Sequence, residues 1–267
     1  MESKCLFKHD GQCIRESDFR VALRALGIRP GQTLLVHAGL RAFGVLGGNW
    51  SRGELCRPLI HAMRQSVGTR GTIIMPTFTY AFCRGTPYNR KKSPSEVGVL
   101  SEFFRTERGV VRSMHPIFSV AAYGAKSREL TDVREDSFGQ DSFFAKFLKA
   151  KGTILFFGSA TFFNSCTFIH HIEQMHHVPY RFIKTFHGKS INGRKSSSTR
   201  ATYFVRPLDG SVENDNSRLE KILRRKKMLK EITIGASSIT AVRAQDVFRE
   251  GMHLLDKNSY VLLRKPS

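Results

Sequence analysis

The run Thr33-Leu34-Leu35-Val36-His37 decides the architecture, because its apolar side chains are continuous rather than alternating. Such a run suits a strand that is covered on both faces. Three more of the same kind follow, at Thr72–Pro76, Phe118–Ala122 and Thr153–Phe157. Between them the pattern turns helical. Ser51 is placed to cap a helix running through Ser66, with Leu55, Leu59, Ile60 and Met63 on one face, and Val97–Thr106 and Ser142–Lys149 read as shorter helices. Strands alternating with helices predict an α/β sheet covered by helices. Further on, the residues predict a strand pair at Phe182–Phe186 and Thr202–Val205, helices over Arg218–Lys230 and Ala244–Lys257, and a terminal strand at Tyr260–Leu263. No internal repeat and no Pro-rich or Gly/Ser-rich linker divides the chain, so a single domain over 1–267 is expected.

The 267 residues, 40% hydrophobic and 24% charged, have an ordinary globular composition and enough length for a core without disulfides or metals. No apolar run approaches the roughly 18 residues of a membrane span, and the N-terminus lacks the apolar core of a secretory signal. A cytoplasmic protein with no membrane span is expected. Five cysteines, odd in number and scattered with no CxxC pair, fit reduced thiols. The outlier is charge: 43 Lys+Arg against 22 Asp+Glu leave a net +21. From Arg181 to Lys230 there are fourteen basic residues against four acidic ones, including Arg224–Lys227. Leu219, Ile222, Leu223 and Leu229 make an apolar stripe there, so a surface helix with a solvated basic face accounts for the run as readily as attraction for an anionic ligand.

Reactive side chains are densest at Thr167-Phe-Ile-His170-His171-Ile-Glu173-Gln-Met-His176-His177. On a helix, Thr167, His170, Glu173 and His177 share one face, whereas His171 points away. A carboxylate beside an imidazole orients it and favours its protonated form, and a hydroxyl one turn earlier can donate to a developing oxyanion. A helix with packed histidines and a capping threonine is the plainer alternative. Neither HExxH nor HxxEH is present, and the single ExxH step has no second copy, so no metal is expected. Two turns that follow strands, His37-Ala38-Gly39-Leu40 through Gly44 and Met75-Pro-Thr77-Phe78-Thr79, match neither GxGxxG nor GxxxxGK[ST]. Arg112-Ser-Met-His115-Pro-Ile-Phe-Ser119 places a cation, an imidazole and hydroxyls before a buried strand.

In order, TLLVHAGLRAFG, GTIIMPTFTY, SPSEVGVLSEFFR, RSMHPIFSVAAYG, FGQDSFFAKFLKAKGTILFFG and TFIHHIE resemble the aminoglycoside 3-N-acetyltransferase family, which is unrelated to the GNAT acetyltransferases. The resemblance runs from about Thr33 to Glu173. It implies a mixed central β-sheet flanked by helices, with residues 33–173 as the cofactor and catalytic part and 174–267 on the acceptor side. It also implies direct acetyl transfer from acetyl-CoA to an amine. The family's T-x-L-H-x-x-E segment maps onto Thr167, His170 and Glu173, with Ile169 in place of leucine. His170 is then the base, Glu173 its partner, and Thr167 lies near the thioester. The cofactor side would comprise His37, Ala38, Gly39, Leu40 and Gly44, then Thr77 and Phe78, then Arg112, His115 and Ser119. Gly39 stands where the family has serine, so a hydroxyl is lost while the amide remains.

The acceptor implied is a small-molecule amine. Aminoglycosides are polycations, and a pI near 10.3 argues for an anionic amino sugar instead, such as a nucleotide-linked one from polysaccharide biosynthesis. An aminoglycoside acceptor, and with it antibiotic resistance, is the alternative. A noncatalytic nucleic-acid-binding protein would suit the charge, but no zinc finger, RNP-like strand or clear helix-turn-helix is present, so no specific nucleic acid is expected.

Overall fold

The computed structural model describes residues 4–158, 163 and 166–264. Three of the four apolar runs form the parallel centre of a seven-stranded sheet: β3 (Thr33–Ala38) pairs in parallel with both β5 (Thr72–Pro76) and β9 (Thr153–Phe157). The fourth starts two residues later than expected, as β8 (Val120–Gly124), antiparallel to β5. The delay has a local cause. The ring of His115 accepts the amides of Ile117 and Phe118, which ties the expected first strand residue into a turn. The two-residue β7 (Val111–Arg112) forms one edge, and β13 (Ser237–Arg243) with β12 (Lys230–Ile234) completes the other, both antiparallel to their neighbours. The sheet is therefore mixed.

Side chains alternate between two cores with the two-residue period of a strand. Leu34, Val36, Ile73, Met75, Leu155 and Phe157 enter one; Leu35, Ile74, Ile154 and Phe156 enter the other. The first core is roofed by α1 (Glu16–Ala25), α2 (Arg52–Val67) and α3 (Val99–Phe104). Ser51 caps α2 as expected: its hydroxyl accepts the Glu54 amide while the Glu54 carboxylate accepts the Ser51 amide. The second core lies under α4 (Ser127–Thr131), α5 (Phe143–Lys149), α6 (Phe168–His176), α7 (Ser217–Arg225) and α8 (Ala244–Lys257). Gly251 lets α8 approach α6, since a methyl there would stand 3.0 Å from Ile172 Cδ1.

Two smaller sheets are attached. A hairpin of β1 (Phe7–His9) and β2 (Gln12–Ile14) pairs with β4 (Val45–Leu46). Its register brings Cys5 and Cys13 to a Cα separation of 5.2 Å, where they form a disulfide, so the expectation of five reduced thiols is corrected for this pair. Cys56, Cys83 and Cys166 are free thiols. The other sheet is a long hairpin, β10 (Phe182–Asn192) with β11 (Lys195–Val205), joined in parallel by β6 (Tyr88–Asn89). Its strands run far beyond the short pair expected.

Two other expectations fail. Lys227 takes a left-handed conformation (φ 55°), so α7 ends at Arg225 rather than Lys230. The expected strand at Tyr260–Leu263 is reduced to a single antiparallel bridge of Leu263 with Asn214, because Tyr260–Leu262 form a turn whose Val261 amide bonds locally to Asn258. Among the described residues no helix is long and apolar enough to cross a membrane.

Candidate active site

Helix α6 begins at Thr167, whose carbonyl accepts the His170 amide at 3.1 Å and whose hydroxyl makes no capping bond. The helix presents His170 and Glu173 one turn apart, and His170 Nδ1 lies 2.6 Å from Glu173 Oε2. Glu173 is fully buried, whereas the His170 side chain keeps 24% of its surface open. The carboxylate is braced on every side. Arg181 Nε makes an ion-pair contact with Oε2 at 3.0 Å, while the Tyr180 hydroxyl and Asn214 Nδ2 each donate to Oε1 at 3.0 Å. Arg181 in turn donates to Asn214 Oδ1 at 2.6 Å. Burial alone would push the Glu173 carboxyl up, but the charges and hydrogen bonds of His170, Arg181 and Tyr180 hold it below its ordinary value. The carboxylate stays ionised. Since Nδ1 of His170 faces that carboxylate, Nε2 is left as the nitrogen for chemistry. Phe138 packs edge-on against the ring at 5.3 Å.

The other residues of this segment separate. His177 is the left-handed cap residue of α6 (φ 57°) and exposed, so it leaves the face it was expected to share. His176 lies 3.3 Å from Asp256. His171 is buried on another face, its Nδ1 2.5 Å from the Phe138 carbonyl, and burial holds its pKa down. Cys166 is buried and its thiol pushed up to about 12, which leaves it inert as a nucleophile. Among the described residues no three His, Cys, Asp or Glu side chains converge as a metal set.

The ten residues of the expected cofactor side fall into three groups. At the end of β3, Ala38 and Gly39 are half-buried, Leu40 is buried, and His37 is buried and stacked on Phe156 at 5.5 Å. Burial pulls the His37 pKa down to about 4, so the ring is neutral. The Gly39 amide is already bonded to the Phe157 carbonyl at 2.9 Å. Gly44 adopts φ 134°, and a methyl there would strike the Lys8 carbonyl, so its bareness admits the N-terminal hairpin. The third group is buried together. Arg112 donates to the hydroxyls of Thr77, Thr79 and Ser119 (each 3.1 Å) and to the carbonyls of Thr77 (2.7 Å), Ser93 (2.5 Å) and Arg90 (3.3 Å). Its face lies over the Tyr88 ring. Phe78 is buried at a ring distance of 5.0 Å from Phe118. His115 is buried and held neutral, its pKa pulled down to about 3 by burial, with Nε2 3.1 Å from Ser137 Oγ.

Sequence reasoning did not find Tyr180, Arg181 or Asn214 as partners of Glu173. Tyr180 and Arg181 are both buried against the carboxylate. A buried carboxylate in need of a counter-charge was the available signal.

An imidazole with one open edge, oriented by a buried carboxylate on a mixed α/β scaffold, is equipment for general acid–base chemistry. The chain belongs to the aminoglycoside 3-N-acetyltransferase family, whose model matches residues 35–256. One curated relative, aminoglycoside N(3)-acetyltransferase III of Salmonella sp, is 26% identical over 162 residues, which is 52% of this chain and 53% of the relative. The match thus spans about half the length of that relative. Among solved structures, AAC-IIIb in a binary complex with CoASH superposes with a TM-score of 0.77 at 23% identity, over 94% of this chain and 98% of that one. AAC-VIa bound to sisomicin gives 0.75 at 23%, over 91% and 97%. At these identities the likeness is one of fold.

Proposed function

We propose that this chain is an acetyl-CoA-dependent N-acetyltransferase with His170 as its base and an aminoglycoside as its acceptor. The observation that carries the reading is the His170–Glu173 couple, 2.6 Å long with the carboxylate fully buried. It is supported by family membership, by CoASH on AAC-IIIb and by sisomicin on AAC-VIa. The acceptor nitrogen must carry a lone pair when it attacks the thioester carbonyl, and His170 Nε2 takes the proton that this nitrogen loses. Glu173 keeps Nδ1 protonated and balances the imidazolium as it forms. The Thr167 hydroxyl, one turn earlier, serves the developing oxyanion. Coenzyme A thiol leaves as the amide forms, so no acyl-enzyme is needed. Ala38, Gly39 and Gly44, half-open after β3, are the residues on the cosubstrate side with surface to offer. The fully buried Thr77, Arg112 and Ser119 act from behind that wall.

A second acceptor class, an anionic nucleotide-linked amino sugar, is favoured by one observation. Between Glu173 and Asp209 there is no acidic residue, and the β10–β11 hairpin exposes Lys184, Lys189, Arg194, Lys195 and Arg200. A polycation meets repulsion there, an anion attraction. The test is thiol release from acetyl-CoA across a panel of aminoglycosides and nucleotide-linked amino sugars. Turnover of an aminoglycoside, lowered by a factor on the order of 10² to 10⁴ in His170→Ala, is expected; turnover of the anionic sugars alone would replace the acceptor and keep the mechanism.

A further inference from the structure

Among the described residues, two of the eight large apolar side chains open to solvent, Phe182 and Tyr260, line one cavity. Each is about half exposed, and Pro179 and Pro207 stand beside them in the wall. The cavity measures about 600 Å³, a size usual for small-molecule sites. Val212 and Leu263 extend its apolar lining, and no Asp or Glu contributes to it. Arg218 and Arg264 stand at its rim, both exposed. Arg264 shares a solvent-exposed ion pair with Glu213 at 3.2 Å, and Arg218 has no ion-pair partner among the described residues. Neither Thr167 nor His170 lines it, and it meets the His170–Glu173 couple only through Tyr180 and Arg181, the partners of Glu173 in its wall.

Exposed apolar side chains at a concavity mark a place where something binds, and exposed guanidinium groups on its rim, one without an ion-pair partner among the described residues and one in a solvent-exposed pair, favour an anionic guest. We propose that this cavity is a second binding site, for an anionic amphiphile. Its apolar or aromatic body lies between Phe182 and Tyr260, and its phosphate or carboxylate meets Arg218 and Arg264. Tyr180 and Arg181, which also form the wall, are committed to Glu173 through the Tyr180 hydroxyl and the Arg181 guanidinium, so the anion's partners are the two rim arginines.

The inference does not depend on the proposed activity, and its test reads binding alone. Monomeric n-octyl phosphate is titrated into the full chain by calorimetry, beside n-octanol and inorganic phosphate. In a parallel arm the protein is sedimented with phosphatidylcholine vesicles, with and without phosphatidylglycerol. Saturable binding of octyl phosphate at one site is expected, with neither octanol nor phosphate binding at the same concentrations. Both Tyr260→Ala and the double variant Arg218→Gln/Arg264→Gln should weaken it by about tenfold or more. Because these are exposed positions, the variants remain folded, which circular dichroism checks. Equal binding of octanol, indifference to either variant, or attachment only to phosphatidylglycerol vesicles regardless of Tyr260 would overturn the proposal; the last would mark nonspecific surface attraction.

Discussion

Two buried polar knots lie in this fold, and they are built to different ends. Around Arg112 six donor contacts all terminate on hydroxyls and carbonyls of the protein, and arginine, threonines and serine are buried together. Around Glu173 the carboxylate is equally sealed, but His170, the titratable imidazole among its four partners, keeps part of its surface open. A closed knot holds elements in place; a knot with one titratable edge can also exchange a proton with a guest. The difference predicts that damage to the first appears as lost stability and damage to the second as lost turnover.

The largest effect is expected at the open edge. His170→Ala should lower kcat by a factor on the order of 10² to 10⁴ while coenzyme A binding and the unfolding midpoint hold. Undiminished turnover would show that the couple is only structural. Glu173→Leu comes next, because it strands the buried Arg181 charge, and a stability loss of about 3–5 kcal/mol in urea is expected along with lost activity. Acid should act on the whole sheet. His37 and His115 have pKa values depressed to about 4 and about 3, so the unfolded chain binds protons more readily than the folded one. Their stabilisation is full above the unfolded value near 6.5 and is lost as pH falls toward the folded values, by on the order of 3 kcal/mol each. A denaturation midpoint that stays flat from neutral pH to about 4 would contradict this. Arg112→Met should cost about 2–4 kcal/mol by orphaning buried acceptors, with kcat of the folded fraction within about threefold. A collapse of kcat without lost stability would move Arg112 to the reacting side and undo the contrast. Tyr180→Phe removes one of four braces on Glu173, and roughly 1 kcal/mol of stability with a few-fold loss in kcat is expected.

Legibility in the sequence followed the same division. Thr72–Pro76, Thr153–Phe157, Ala244–Lys257 and the Ser51-capped helix were readable because continuous apolar runs and a capping box are local signals. The β12–β13 edge was not, since Lys230–Ile234 is half polar and becomes a strand only by pairing with β13. The N-terminal hairpin was missed as well, and with it the Cys5–Cys13 bond, because register brings together what spacing leaves apart. At the site, the three-residue step from His170 to Glu173 was readable from helical geometry. Asn214 was not: it lies 41 positions from Glu173, and chain folding alone makes them neighbours.

The order of synthesis gives the docking of α8 on α6 a kinetic meaning. The proposed His170–Glu173 couple is complete in the chain by residue 173, yet the helix that carries it packs on α8, and strand β9 waits for β13. Contacts of such long sequence separation close late. A nascent chain that has emerged only as far as Glu173 holds the imidazole and the carboxylate without their support, which arrives with β13 and α8.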